Sequence, residues 1–292
     1  MLGIISMVVN SQDDNTMRRL ILNIANLSEK YHQEYLAARW SKDKLLNDWY
    51  YAFEFFLDHT LLQGRSDRVS EKVVEAVFEV SEHNRNMIEE GFKSGNWKDL
   101  MVKLFERIGK GKVGKRADVN HVIDSLEFLR EKISDRNVVK YTVDEVKARG
   151  VLQVYGELDG IKQVGDKVAC FYLRDVVSLF ELEGCVPPGD RRLLLPIDTW
   201  VKKFAKEYLV EGAKDPKNDE IKQKILKVCD DYGVSPAKLD QGIWYAGFNS
   251  YNVLIEILKQ VDINVLIEIL KQVDINVANS GMIRLIPYRD LS

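Results

Sequence analysis

Lys167 and Asp198 are an amine and a carboxylate on successive segments of the stretch LDGIKQVGDKVACFYLRDVVSLFELEGCVPPGDRRLLLPIDTWV. A neutral lysine amine is a nucleophile, and a nearby carboxylate can take a proton or stabilise a developing cation. Apolar residues at Val168, Ala169, Tyr172, Leu173 and Val176 predict a helix whose first turn contains Lys167. The positive end of that helix disfavours an ammonium and so favours a nucleophile. The plainer structural readings are an exposed lysine at a helix start and, for Asp198, an N-cap before TWVKKF.

The preceding residues must position this lysine. Tyr155 to Leu158 ends a helical pattern, Asp159-Gly160 supplies a turn, and Val164-Gly165 precedes the next helix. The predicted unit is helix, hairpin, helix. Gly165 leaves room for a phosphate to approach the backbone, and the amides opening the second helix form an anion site without a cationic side chain.

The segment IKQVGDKVACFYLRD resembles the helix-hairpin-helix of the DNA glycosylase superfamily that includes endonuclease III and the 8-oxoguanine DNA glycosylases, whose usual form is LPGVGxKxA. Downstream, LLLPIDTWV is similar to that family's VPVDxHV. The resemblance implies that Lys167 is the catalytic lysine and Asp198 the catalytic aspartate. A lysine at this site implies a Schiff base and strand nicking, not cleavage of the glycosidic bond alone. Two departures stand out: Gln163 occupies the place of the hairpin's first glycine, and Trp200 that of a histidine.

The same resemblance implies an all-α fold of two helical lobes with the hairpin at the cleft between them. Residues 62–180 would form the middle lobe, residues 1–61 would pack with the C-terminal lobe, and residues 181–292 would complete it. The segment TLLQGRSDRVSEKVVEAVF looks like the family's LLSxQxTD region, so Gln63 or Arg65 is a candidate to fill the gap left by an expelled base; a solvated turn is the alternative. SPAKLDQGIWYAGF is similar to the C-terminal helix of 8-oxoguanine glycosylases. This implies that Gln241 pairs with a purine edge and that Trp244 or Phe248 stacks on its face. A buried tryptophan at helical spacing is the alternative.

Other features narrow the partners. Lys110 and Lys112 lie in the glycine-rich, basic KGKVGKR, which suits a phosphate backbone or a solvated loop; no GxxxxGK[ST] is present, which disfavours ATP. The net charge of −3 puts any DNA affinity in local clusters and helix ends. Cys170, Cys185 and Cys229 are too few for a four-cysteine iron-sulfur cluster and lack the spacing of a zinc site, and the four histidines are scattered. Neither a catalytic metal nor a redox cofactor is expected. No run approaches a membrane span, and MLGIISMVVNSQDDN lacks the basic leader of a signal peptide. A monomer in the cytoplasm or on the nucleoid, acting on double-stranded DNA with a damaged base, is the expectation.

Two further expectations concern structure. NTMRRLILNIANLSEKYHQEYLAARW and SKDKLLNDWYYAFEFFLDHTLL read as two amphipathic helices, the second with Trp49, Tyr50, Phe53 and Phe56 as either core or a base-stacking platform. NVLIEILKQVDI occurs twice in succession, within residues 252–275. Twelve helical residues turn about 1200°, so the second apolar face lies roughly 120° from the first and the copies cannot bury one face against one surface. One copy is therefore expected in the packing place and the other to lengthen or displace the helix, while MIRLIPYRDLS reads as a short strand or an extension.

The expected activity is removal of 8-oxoguanine followed by β-elimination. The alternatives are an endonuclease III-like glycosylase for oxidised pyrimidines and a non-catalytic DNA-binding helix-hairpin-helix protein.

Overall fold

Capping residues divide the N-terminal region more finely than its periodicity suggests. In the computed structural model, which describes residues 14–61, 67–109, 113–210 and 215–260, α1 spans Asp14–Asn26 and α2 Ser28–Tyr31, followed by a π-turn at His32–Ala37. The single helix expected from Ser41 onward is instead α3 (Lys42–Asn47) and α4 (Trp49–Thr60). Asp48 makes the break: its backbone is extended, and its Oδ1 accepts the amides of Tyr50 and Tyr51 at 3.0 and 3.2 Å. A carboxylate that caps the following turn favours a new helix start over continuation.

Every regular element among the described residues is helical. The chain continues through α5 (Asp67–His83), α6 (Arg85–Ser94), α7 (Lys98–Leu104), α8 (Arg116–Lys132), α9 (Val138–Arg149), α10 (Val151–Asp159) and α11 (Asp166–Leu179). After 3₁₀ turns at Glu183–Cys185 and Pro188–Leu194 come α12 (Thr199–Tyr208), α13 (Asn218–Tyr232) and α14 (Pro236–Gln260). Among the described residues no helix is long and apolar enough to cross a membrane.

Two hydrophobic cores organise these helices. The larger runs from Tyr31 to Leu194 and includes α4, whose Ala52, Phe53, Phe55, Phe56 and Leu57 are all buried. That burial settles the aromatic stripe: Phe53 and Phe56 are core, and Trp49 and Tyr50 meet Phe92 and Phe78 edge-on. The smaller core joins Ile21 and Ala25 of α1 to Leu195, Ile197, Val201, Phe204, Ile221, Ile225, Leu239 and Ile243.

The N-terminal helices therefore divide between the cores. Only α1 packs into the smaller core with the C-terminal segments, whereas Tyr31 to Leu61 belong to the larger one. The larger core draws in α4 through Phe53, Phe55, Phe56 and Leu57, while Glu54 and Asp58 stay only partly buried, Asp58 paired with Arg39 at 3.3 Å. Close approach of α14 to α1 depends on Gly242, where a Cβ would stand 1.9 Å from the Ile24 carbonyl oxygen. Any larger residue would force the helices apart.

Both cores fall in the compact unit Met1–Ala246, and Gly247–Ser292 forms a second unit. The second repeat copy and the expected C-terminal strand lie outside the described residues.

Candidate active site

The hairpin joins α10 to α11 across residues 160–165. Gln163 takes φ +76°, the left-handed conformation that glycine adopts without strain. A glycine would take this backbone shape freely; here a side chain is added to it. Gly165 precedes α11 and is exposed; a Cβ there would meet nothing within 4 Å, so the approach to the helix start is open. Val164 differs from the expectation of a DNA contact. Its side chain is 3% exposed in the larger core and its amide donates to the Ile161 carbonyl at 3.0 Å, so neither faces a phosphate.

Lys167 sits in the first turn of α11, partly buried. Asp198 is the N-cap of α12, and its Oδ1 accepts the amides of both Trp200 and Val201 at 2.8 Å. The cap reading of Asp198 is therefore correct, and it leaves the second carboxylate oxygen outside the cap. Burial raises the Asp198 carboxyl above the usual carboxylate range; the cap amides, Arg174 and Lys167 pull the other way. Lys167 and Asp198 thus stand at the starts of helices rooted in different cores.

Behind this pair lies a buried polar network. Arg174 Nε donates to Asp175 Oδ1 at 2.8 Å, its Nη1 to Asp240 Oδ2 at 2.6 Å and its Nη2 to Tyr31 Oη at 2.7 Å. Tyr31 in turn donates to Asp175 Oδ2 at 2.6 Å, and His59 Nε2 lies 3.1 Å from the same oxygen. The Asp175 carboxyl is held well below its usual range: burial opposes ionisation, but Arg174 and His59 outweigh it. Asp240 goes the other way. Burial pushes its carboxyl up to about 7 against the pull of Arg174, with Asp198 adding to the rise. Its Oδ1 is buried without a hydrogen-bond partner.

This network corrects one expected site residue. Gln241 is 0% exposed, its Nε2 donates to Asp175 Oδ1 at 3.0 Å and its Oε1 accepts from Ser178 at 3.3 Å. An amide engaged at both ends inside the core has no edge to offer a purine. Trp244, three residues on, is only partly buried and meets Tyr31 and Tyr35 edge-on, with centroids 5.4 and 5.0 Å away. Phe248 belongs to the unit that begins at Gly247. Gln63, Arg65, Lys110 and Lys112 lie outside the described residues.

Sequence reading missed Arg174, Asp175 and Asp240. The signal was an adjacent Arg-Asp pair within the otherwise apolar YLRDVVSL, where unpaired charges would be prohibitively costly to bury. A cavity of about 450 Å³ elsewhere, lined by residues including Arg191, Cys229, Asp230 and Pro236, takes in neither Lys167 nor Asp198. Among the described residues no group of His, Cys, Asp and Glu is arranged to hold a metal ion. The chain matches no family model, and no solved structure matches it.

Proposed function

We propose that this protein is a bifunctional DNA glycosylase and AP lyase that removes 8-oxoguanine from duplex DNA. The observation that carries the reading is the placement of the two groups at helix starts: Lys167 in the first turn after the hairpin, and Asp198 at the cap of a helix in the other core. The glycosidic bond is hidden inside a duplex, so the damaged nucleotide must first be rotated out, at a cost of a few kcal/mol. Lys167 attacks C1′ through its amine nitrogen while the bond from C1′ to the base breaks. Asp198 stabilises the positive charge that grows on the sugar and accepts a proton from the attacking amine. The C1′–O4′ bond then breaks, with a proton delivered to O4′, to open the sugar as a Schiff base; this gives up a C2′ proton to water or the released base and expels the 3′ phosphate.

The partly exposed Trp244 supports a stacking role on the expelled base. Gly165 and the opening amides of α11 suit a phosphate of the same strand.

Borohydride reduction on a duplex holding 8-oxoguanine opposite cytosine tests the proposal. Covalent trapping by the wild type and none by Lys167→Gln is expected; equal trapping by the variant eliminates the nucleophile. A duplex with thymine glycol, run beside it, separates purine from pyrimidine preference. Salt-sensitive binding without base release would mark a non-catalytic protein.

A further inference from the structure

Lys222 on α13 is 5% exposed, yet its ammonium is not left unpaired in the interior. Nζ reaches both carboxylate oxygens of Asp166 at 3.0 Å and lies 3.5 Å from Cys170 Sγ. Tyr155 of α10 donates to the same Asp166 carboxylate at 3.0 Å. Asp166 is the first residue of α11 and the neighbour of Lys167. Burial of Asp166 favours its neutral form, but Lys222 outweighs it and keeps the carboxyl below its usual range.

The two ends of this ion pair belong to different cores. Asp166 opens the helix that runs through the larger core, whereas Lys222 follows Ile221 in the smaller one. α13 also packs on α12, the helix that Asp198 caps. The pair is therefore a brace, one residue from Lys167, between the helix that carries the amine and the helix layer that carries the carboxylate. Lysine at this place has a substantial desolvation cost, and a methionine of similar length would fill the space without it. Packing alone does not call for the charge.

We propose that Lys222 is a positioning residue for the reaction proposed above, holding the first turn of α11 so that Lys167 stays in register with Asp198. The inference rests on that reading of the site. It predicts a loss in the chemical step rather than in DNA affinity, because neither Lys222 nor Asp166 needs to touch the substrate. A misplacement on the order of 1 Å is enough to cost about a hundredfold in rate.

The test uses the full chain with 8-oxoguanine duplex under single-turnover conditions, measuring the borohydride-trapping rate at saturating protein and, separately, the duplex Kd. Lys222→Met is expected to slow trapping by roughly ten- to a hundredfold, with Kd changed by less than about threefold. Lys222→Arg should recover most of the rate, since a guanidinium fork can take both Asp166 oxygens. If Lys222→Met does not fold, Asp166→Asn carries the test, with the same loss expected. Trapping at the wild-type rate by whichever of these folds overturns the inference, as does a loss confined to Kd. Failure of the wild type to trap at all overturns the glycosylase reading beneath it, which keeps the two failures distinct.

Discussion

Arg174 and Asp240 meet at 2.6 Å in a pair whose side chains are each 1% exposed, and each of the three guanidinium nitrogens of the arginine donates a hydrogen bond. Arg174 also serves Asp175 and Tyr31, while Asp240 keeps a buried oxygen with no partner. Burial consequently outweighs the attraction of the arginine and lifts the Asp240 carboxyl to about 7.

A raised carboxyl has a definite linkage sign. Between the unfolded value near 4 and the folded value near 7, the native state holds a proton that the unfolded chain has lost, so Asp240 makes stability fall as pH rises through that window. Asp240→Asn keeps an acceptor for Arg174 and removes the titration. Thermal melts from pH 5 to pH 8 should show the variant gaining on the wild type as pH rises. A constant difference across the range would refute the assignment.

Arg174→Met should be severely destabilising. It strands the Asp175 carboxylate in the core with only Tyr31, His59 and Gln241 to compensate, and breaking a buried pair from one side costs about 3–5 kcal/mol. Urea unfolding measures this directly. A loss below about 1 kcal/mol would mean that the network carries little of the stability of the larger core.

Asp198 has two roles that substitution can separate. Asparagine retains an oxygen for the Trp200 and Val201 amides, so Asp198→Asn should melt close to the wild type while trapping falls by about 10²–10⁴-fold. Asp198→Ala should lose the same activity and about 1 kcal/mol of stability besides. Full activity in a well-folded Asp198→Asn would reduce this residue to a cap.

Gln163 offers a change in the opposite direction. Its φ of +76° disfavours any residue with a Cβ, so Gln163→Gly should relieve strain on the order of 1 kcal/mol, partly offset by the greater freedom of glycine in the unfolded chain. A higher melting temperature is the expected result. A lower one would show that contacts of the glutamine side chain outweigh the strain.

Deleting residues 265–276 removes one copy of the repeated NVLIEILKQVDI. Trapping and the melting transition should both survive, because two copies continued as one helix would turn their apolar faces roughly 120° apart and could not both bury against a single surface. Failure of the shortened chain to fold would show that both copies are needed.

Local patterns carried most of the secondary structure. Apolar spacing after Gly165, the Asp-Gly turn and the aspartate before TWVKKF marked α10, the hairpin, α11 and the start of α12, because helix periodicity and capping depend on neighbours within a turn. The same locality failed at Asp48, where periodicity ran on but the side chain capped a new helix. The family resemblance failed at Gln241, which it implied to pair with a purine edge. Tertiary packing turned that amide inward to Asp175, since a buried carboxylate needs donors from wherever the fold can bring them. Which core received each N-terminal helix, and the joining of Lys222 to Asp166 and of Asp240 to Arg174, were likewise decided only in three dimensions. Those partners lie far apart along the chain, and the free energy that pairs them exists only once water has been excluded.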